Sequence, residues 1–149
     1  MTAPRLPVTR ALAALIEKAT SRPCGVGELP LVQGKAGDWQ PADVPYTVLD
    51  SLPGEFSGPP LSDWQADAAW SYQVTSVGER GDQVQWLADR VRHGVLGRHD
   101  GSWTYDLRVP QGRVIDRELA HEGGGETSVS AAGAIVSYVQ RFTITVTPA

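Results

Sequence analysis

The sequence has few of the residues on which enzymes and metalloproteins are commonly built. Its 149 residues include one cysteine and three histidines. The single cysteine, Cys24, excludes an internal disulfide and a thiolate metal cluster, and we expect it to be a free thiol in a reducing compartment. No H-E-x-x-H, G-x-S-x-G or Walker-type motif occurs. We therefore expect no enzyme activity, no cofactor and no bound metal.

Long apolar runs and excess positive charge are also missing. No run approaches the ~18 apolar residues that cross a membrane, and Glu17 and Lys18 interrupt the stretch that a signal peptide would need. A net charge of −4 argues against a dedicated DNA- or RNA-binding surface, which would be basic. We expect one domain over residues 1–149, made and used in a cytoplasm or in something assembled there.

Two segments repeat their apolar residues at helical spacing. The first runs from Pro7 to Ala19 and ends at Ser21-Arg22-Pro23, because the residue before a proline disfavours helix. In the second, Asp82 is the predicted N-cap and Gln85 completes a capping box. Gly97 is predicted to end this helix in a left-handed conformation.

Alternating apolar and polar residues predict the strands. The last of them, Ile135–Val146, would span about 40 Å at ~3.3 Å per residue, roughly twice a typical strand. Either it bends at a bulge or part of it pairs outside its own subunit, and we favour the second interpretation. The other predicted strands are a short one around Leu29–Val32, then Pro45–Pro53, Trp70–Thr75, Trp103–Val109 and Val114–Leu119.

Glycine, proline and acidic residues mark three loops. Cys24–Ala42 and Gly54–Asp67 are long, and loops of this length are often functional. His121–Glu126, with its three glycines, is predicted to be a flexible acidic loop. His121 lies beside Glu122, but such loop histidines are more often solvated than metal-bound.

Four stretches together resemble the tail terminator, or tail completion, proteins of long-tailed bacteriophages, especially those that infect actinobacteria. The run YQVTSVGERGDQVQWLADR, Tyr72–Arg90, is the most specific. The resemblance extends over most of the chain, and the sequence departs from the family pattern at the glycine-containing insertion His121–Ser130. The other stretches are VTRALAALIEKA (Val8–Ala19), PYTVLDSLPGEFSGPP (Pro45–Pro60) and RFTITVTP (Arg141–Pro148).

The resemblance implies an α+β subunit with two helices on one face of a mainly antiparallel or mixed sheet of four to five strands. It also implies a virion protein that forms a ring, expected to be a hexamer, at the head-proximal end of the tail tube. There the ring ends tube polymerisation and contacts the major tail tube protein and a head-completion or stopper protein. DNA passes through its lumen without specific binding, and an acidic subunit suits that passage.

The surfaces for these contacts are hypothesised from expected exposure. They are the Glu55–Asp67 loop, the His121–Glu126 loop and the outward face of the last strand. Long strands and loops of this kind can supply the head-to-tail contacts that close a ring. The candidate interface residues are Glu55, Phe56, Trp64, Glu122, Glu126, Arg141, Thr143 and Thr145.

Two other interpretations remain open. The chain could be another head–tail connector or a minor tail protein of the same particle. It could also be an unrelated cytoplasmic domain in which Trp39, Trp64 and Trp70 line a small-ligand pocket. Native oligomeric state separates the tail terminator interpretation from the ligand-binding domain, because only the ring requires self-association.

Overall fold

The computed structural model describes residues 3–58, 66–130 and 133–148. Its two helices are α1 (Arg5–Thr20) and α2 (Gly81–Leu96). The strands, in chain order, are β1 (Cys24–Val26), β2 (Leu31–Gln33), β3 (Trp39–Pro41), β4 (Tyr46–Ser51), β5 (Glu55–Ser57), β6 (Asp67–Gly78), β7 (Arg98–His99), β8 (Ser102–Trp103), β9 (Arg108–Val109), β10 (Gly112–Ser130) and β11 (Gly133–Pro148).

One large sheet organises the fold. Its strands follow the order β1-β4-β6-β11-β10-β9, and β5 pairs with the first residues of β6. Only the β1–β4 pair is parallel among the described pairs of this sheet. The α+β class is confirmed, and the sheet is larger than predicted and partly mixed. Two small hairpins, β2–β3 and β7–β8, lie outside the large sheet.

Both helices cover the same face of this sheet. In β6 and β11, every second side chain points toward the helices, as the pleat requires. Tyr72, Val74, Phe142 and Ile144 are fully buried there, and each such side chain contributes roughly 1.5–3 kcal/mol of hydrophobic stabilisation. The helices add Val8, Leu12, Leu15 and Ile16 from α1 and Val91 and Val95 from α2.

The helix ends are partly as predicted. α1 ends at Thr20, and Ser21 follows in a left-handed conformation, with its N–H donating to the Glu17 carbonyl at 2.8 Å. The predicted cap of α2 is wrong, because Arg80 occupies the N-cap position without a side-chain bond. Gln83 instead reaches back, and its Oε1 accepts from the Glu79 N–H at 2.8 Å.

Gly97 is likewise not left-handed. Its φ of −61° and ψ of 137° are extended, so α2 runs directly into β7. The glycine is required for space, because a Cβ here would lie within 3.0 Å of the His93 backbone oxygen. A glycine is therefore needed at position 97, but for lack of space and not for the predicted left-handed conformation.

The last strand is satisfied within its own subunit. β11 pairs with β10 along its length and with β6 from Val136 to Val146. The prediction that part of it pairs outside the subunit is therefore wrong. The alternating pattern identified the strand but not its two partners, which are β10, the preceding strand of the same hairpin, and the distant β6.

The region predicted as a flexible acidic loop is also strand. His121–Glu126 lies inside β10, where His121 to Gly124 pair with Arg141 to Tyr138. Backbone pairing across a long hairpin outweighs the weak strand preference of glycine, because strand preference depends strongly on context. The predicted strand Trp103–Val109 is in turn two short strands, β8 and β9, separated by buried Leu107.

Candidate functional site

The outer edge of β10 is the longest unpaired strand edge that the structure describes. β9 pairs with it only at Gly112 and Arg113. From Val114 to Ser130 no other described strand lies on that side. A strand edge of this kind presents N–H and C=O groups that can pair with another chain. An unpaired edge was predicted for the last strand. It belongs instead to β10, the neighbour of that strand in the hairpin.

Three irregularities divide this edge into short straight segments. The register shifts lie between Val114 and Asp116, between Leu119 and His121, and between Gly124 and Thr127. Each inserts one extra residue into β10 relative to β11, as a β-bulge does. Bulges twist an edge and discourage long, indiscriminate strand pairing. Only short strands can pair with the straight segments that remain.

An ion-pair network holds α2 against the middle of β10. Arg92 Nη1 lies 2.5 Å from Glu122 Oε1, and Arg92 also pairs with Asp89. Gln140 is fully buried, and its Nε2 donates to Glu122 Oε1 at 2.8 Å and to the Ala88 carbonyl at 3.0 Å. The Glu122 side chain is thus engaged inside the subunit, on the helix-covered face of the sheet.

The electrostatics of this network follow from its partners. Partial burial disfavours the charged guanidinium of Arg92, but the hydrogen bonds and charges of Asp89 and Glu122 outweigh this and raise its pKa. Burial raises the pKa of Tyr138, and the negative charge of Glu122 adds to that effect. The contacts of Glu122 with Arg92 and Gln140 link α2 to the β10–β11 hairpin.

A cluster of two arginines and a tryptophan lies at the C-terminus of α2. Arg117 is 5% exposed, and its Nη1 donates to the Val95 carbonyl at 3.1 Å. Its guanidinium lies 4.4 Å from the centre of the Trp103 ring, and that of Arg98 lies 4.0 Å from it. Burial lowers the pKa of Arg117. A cation at a helix C-terminus complements the helix dipole, so this cluster stabilises the fold.

No described helix or strand covers the sheet face opposite the helices, and this face is mostly polar. It carries Arg141, Thr143 and Thr145 from β11, and the structure therefore brings these three predicted interface residues onto one surface. Arg141 is exposed and donates from Nε to Gln73 Oε1 at 3.2 Å. Whether this face contacts another protein stays a prediction.

A shallow depression lies on this face beside the middle of β10. It encloses about 490 Å³ and is open to solvent. Gly123 and Gly124 form its β10 rim, so the backbone is accessible there without side chains. Its other lining residues include Gln73, Thr75, His121, Val139 and Arg141.

The remaining predicted interface residues are dispersed. Glu55 and Phe56 are exposed in β5, and the Phe56 ring packs edge-on against Trp70 with centroids 5.4 Å apart. Trp64 lies outside the described residues. Glu126 lies in β10, and its side chain is likewise outside the description.

An exposed hairpin lies near the opposite end of the sheet, where a loop with one short strand around Leu29–Val32 was predicted. We call residues 28–42 the arm. It connects the parallel strands β1 and β4, and its own strands β2 and β3 pair with each other and with no other described strand. Four of its large apolar side chains are between 38% and 68% exposed. These are Leu29, Leu31, Val32 and Trp39.

The candidate chemical groups do not form a reactive site in the described part of the chain. Cys24 is buried, and desolvation raises the pKa of its thiol to about 11. Among the described residues no three His, Cys, Asp or Glu side chains could hold a metal ion. None of the described helices is long and apolar enough to cross a membrane.

The tryptophans of the pocket hypothesis have separate environments. Trp39 is 68% exposed on the arm. Trp70 is half-buried in β6, where the Arg5 guanidinium lies 5.0 Å from its ring centre. Trp64 lies outside the described residues. The other two tryptophans lie on different elements, β3 and β6.

Comparison with known proteins gives a structural similarity but no match to a family. No protein-family model and no curated protein matches the chain. Among solved structures, the chain is similar to a component of the structure described as "Virion of native gene transfer agent (GTA) particle". The TM-score is 0.49 and the sequence identity 14%, over 97% of this chain and 95% of that one.

Proposed function

We propose that this protein is a structural subunit of a phage-like virion. In this proposal it forms a ring at the head-proximal end of the tail tube, ends tube polymerisation and joins the tube to head-completion proteins. The observation that carries the proposal is the open edge of β10, which leaves residues 114–130 without a strand partner on one side among the described residues. The sequence resemblance over Tyr72–Arg90 supports the particular place in the virion.

An open edge of this length has a physical consequence. A strand edge with free backbone groups pairs readily with another chain, and proteins that act alone usually cover or shorten it. Here the edge is long but interrupted by bulges. That combination suits a protein that must bind a defined neighbour without forming an open fibre.

The ion-pair network gives the edge a rigid support. Arg92 and Gln140 both contact Glu122 in the middle of β10, from α2 and from β11. The strand is therefore anchored on its helix side, and only its outer edge and the uncovered sheet face remain available. A preorganised surface loses less conformational freedom on binding than a flexible loop would.

The charge of the subunit is compatible with a DNA channel. With a net charge of −4, a ring of several copies would not attract phosphate strongly, so DNA could pass without being held. The expected partners are further copies of the chain, the tail tube protein and a head-completion protein. The expected location is the head–tail interface of the virion.

Native mass spectrometry of the purified protein, alone and after incubation with tail tubes of the same virus, tests this proposal. We expect a closed ring, with six copies as the predicted number, either in solution or on release from the tubes. A protein that remains a monomer under both conditions and does not bind tubes would contradict the proposal.

A further inference from the structure

The arm carries apolar side chains that its own subunit does not cover. Trp39 is 68% exposed, and Leu29 and Leu31 are each at least half exposed. Solvent-exposed apolar side chains in such proximity mark a contact surface more often than a solvated hairpin. A two-stranded hairpin with three residues in each strand is also marginally stable by itself. The arm therefore has the composition of an element that is completed by a partner.

The middle segment of the β10 edge has the complementary features. Between two bulges, His121–Gly124 forms a straight run of the right length for a three-residue strand. Gly123 pairs with Val139, so a Cβ at Gly123 would face the depression, where it would meet only the end of the His121 side chain, at 3.3 Å. Glycines in a strand often mark a place where another backbone approaches closely. The adjacent depression of about 490 Å³ offers room for a large side chain, and Arg141 lines it.

The arm and the His121–Gly124 segment lie too far apart on the sheet to be two parts of one surface. The arm is attached at the β1 end of the sheet, while β10 lies four strands away. At about 4.8 Å per strand, that separation is roughly 19 Å. Two different surfaces at opposite ends of one subunit form a head-to-tail contact, and such contacts close into a ring when the rotation between copies closes. A second copy of this chain supplies both halves.

We propose that the arm of one copy docks on the His121–Gly124 segment of the next copy, with Trp39 seated in the depression beside Arg141. The short arm strand pairs with the open backbone, and the indole contacts the sheet face and the guanidinium. Tryptophan and arginine dominate many protein interfaces in this way. This inference rests on the proposed ring and names the contact between its subunits.

Two substitutions separate the two halves of the contact. Trp39→Ala removes the inserted side chain and leaves the depression intact. Gly123→Leu fills the docking segment, and the subunit tolerates it because the new side chain meets only the flexible end of His121 and this glycine is not among those with positive φ. Each is expected to weaken self-association about 30-fold or more, as loss of an interface hot spot does.

Trp86→Ala is the matched control. Trp86 is another exposed tryptophan, 49% exposed on α2, and it lies outside the proposed contact. This variant should assemble as the wild-type chain does. Circular dichroism and thermal unfolding of all three variants verify that each is folded.

Mixing the two variants gives a distinctive result. The Trp39→Ala subunit keeps an intact docking segment, and the Gly123→Leu subunit keeps an intact arm. Together they can form one productive contact but no ring. We therefore expect a 1:1 heterodimer by native mass spectrometry from two proteins that are monomeric alone.

A covalent test locates the contact directly. In a chain whose native thiol is buried, Trp39→Cys and Gly123→Cys in separate copies should form a mixed disulfide on oxidation, while a Trp86→Cys and Gly123→Cys mixture should not. If the wild-type chain forms rings but both docking variants also assemble normally and no mixed disulfide forms, this inference is wrong and the proposed function stands. If the wild-type chain does not associate even on tail tubes, both are wrong.

Discussion

The close approach of the two helices gives a sharp test of the fold. Gly94 in α2 faces Ala19 in α1, and a Cβ at position 94 would lie closer than 3.0 Å to the Ala19 Cβ. It would also lie 3.4 Å from a methyl group of Leu15. Carbon atoms in contact prefer a separation of about 3.5–4.0 Å. The substitution Gly94→Ala must therefore push the helices apart.

Two opposing effects determine the magnitude. Replacing a helical glycine with alanine stabilises a helix by about 1 kcal/mol. Overpacking a dense core costs about 1–3 kcal/mol, and the upper end applies here because the Ala19 Cβ has no rotamer through which to move away. The expected net loss is about 2 kcal/mol. For a domain of this size that corresponds to a decrease in Tm of about 4–8 °C.

A double-mutant cycle isolates the contact. In the Ala19→Gly background the obstructing methyl group is absent, so Gly94→Ala should be neutral or stabilising there. Thermal and denaturant unfolding of the four proteins should give a coupling free energy of about 2 kcal/mol, within the range found for residues in contact. A Gly94→Ala protein more stable than the wild-type chain would refute the helix packing described above.

Three further predictions concern the core, the network and the thiol. Tyr72→Phe should cost about 0.5–1.5 kcal/mol in denaturant unfolding, because it removes the 2.9 Å buried hydrogen bond between Tyr72 and Thr9; an unchanged midpoint would contradict that bond. Glu122→Gln should cost at most about 1 kcal/mol, since the pair with Arg92 is partly exposed, and less at high salt; a cost that does not depend on salt would contradict an ionic origin. Cys24 should resist alkylation in the native protein at pH 8, and its contribution to stability should be lost as the pH rises from 9.0, the ordinary value, to about 11, the raised pKa in the folded state; fast native labelling, or the same alkaline loss in Cys24→Ala, would contradict its burial.

The helices could be predicted from sequence because their signals are local. The apolar spacing between Val8 and Ala19 and between Val84 and Val95 requires one buried face, and both helices have it. Their ends were predicted less well. Gly97 is required because a side chain would collide with His93, and that contact is invisible to a rule based on backbone conformation.

The sheet could be predicted only in part, because strand order is set by contacts between distant residues. The alternation in β6 and β11 identified both strands, but not that they lie side by side or that β11 is central. The run Gly123–Gly125 of β10 resembled a loop because glycine commonly interrupts regular structure. Its hydrogen-bonding partners in β11 follow more than ten residues later, and a local pattern does not show them.

The candidate interface was predicted only in part, because it too depends on which strands pair. An unpartnered edge was expected from the length of the last strand, and the structure places that edge on β10 instead. Arg141 and Thr143 were correctly placed on an outward face, whereas Glu122 is engaged within the subunit. The arm was predicted only in part: the short strand around Leu29–Val32 overlaps β2, whereas β3 was placed in the surrounding loop because glycine and proline flank it. The apolar residues Leu29, Leu31 and Val32 were the available signal.

The central claim is that this chain ends a tail tube by closing a ring on it. The most direct measurement adds purified protein to polymerising tail tube subunits of the same virus and follows tube length by electron microscopy. We predict that elongation stops at a substoichiometric ratio of one ring per tube, with additional density at a single end. Tubes that continue to grow at the same rate, with no density at either end, would contradict the account.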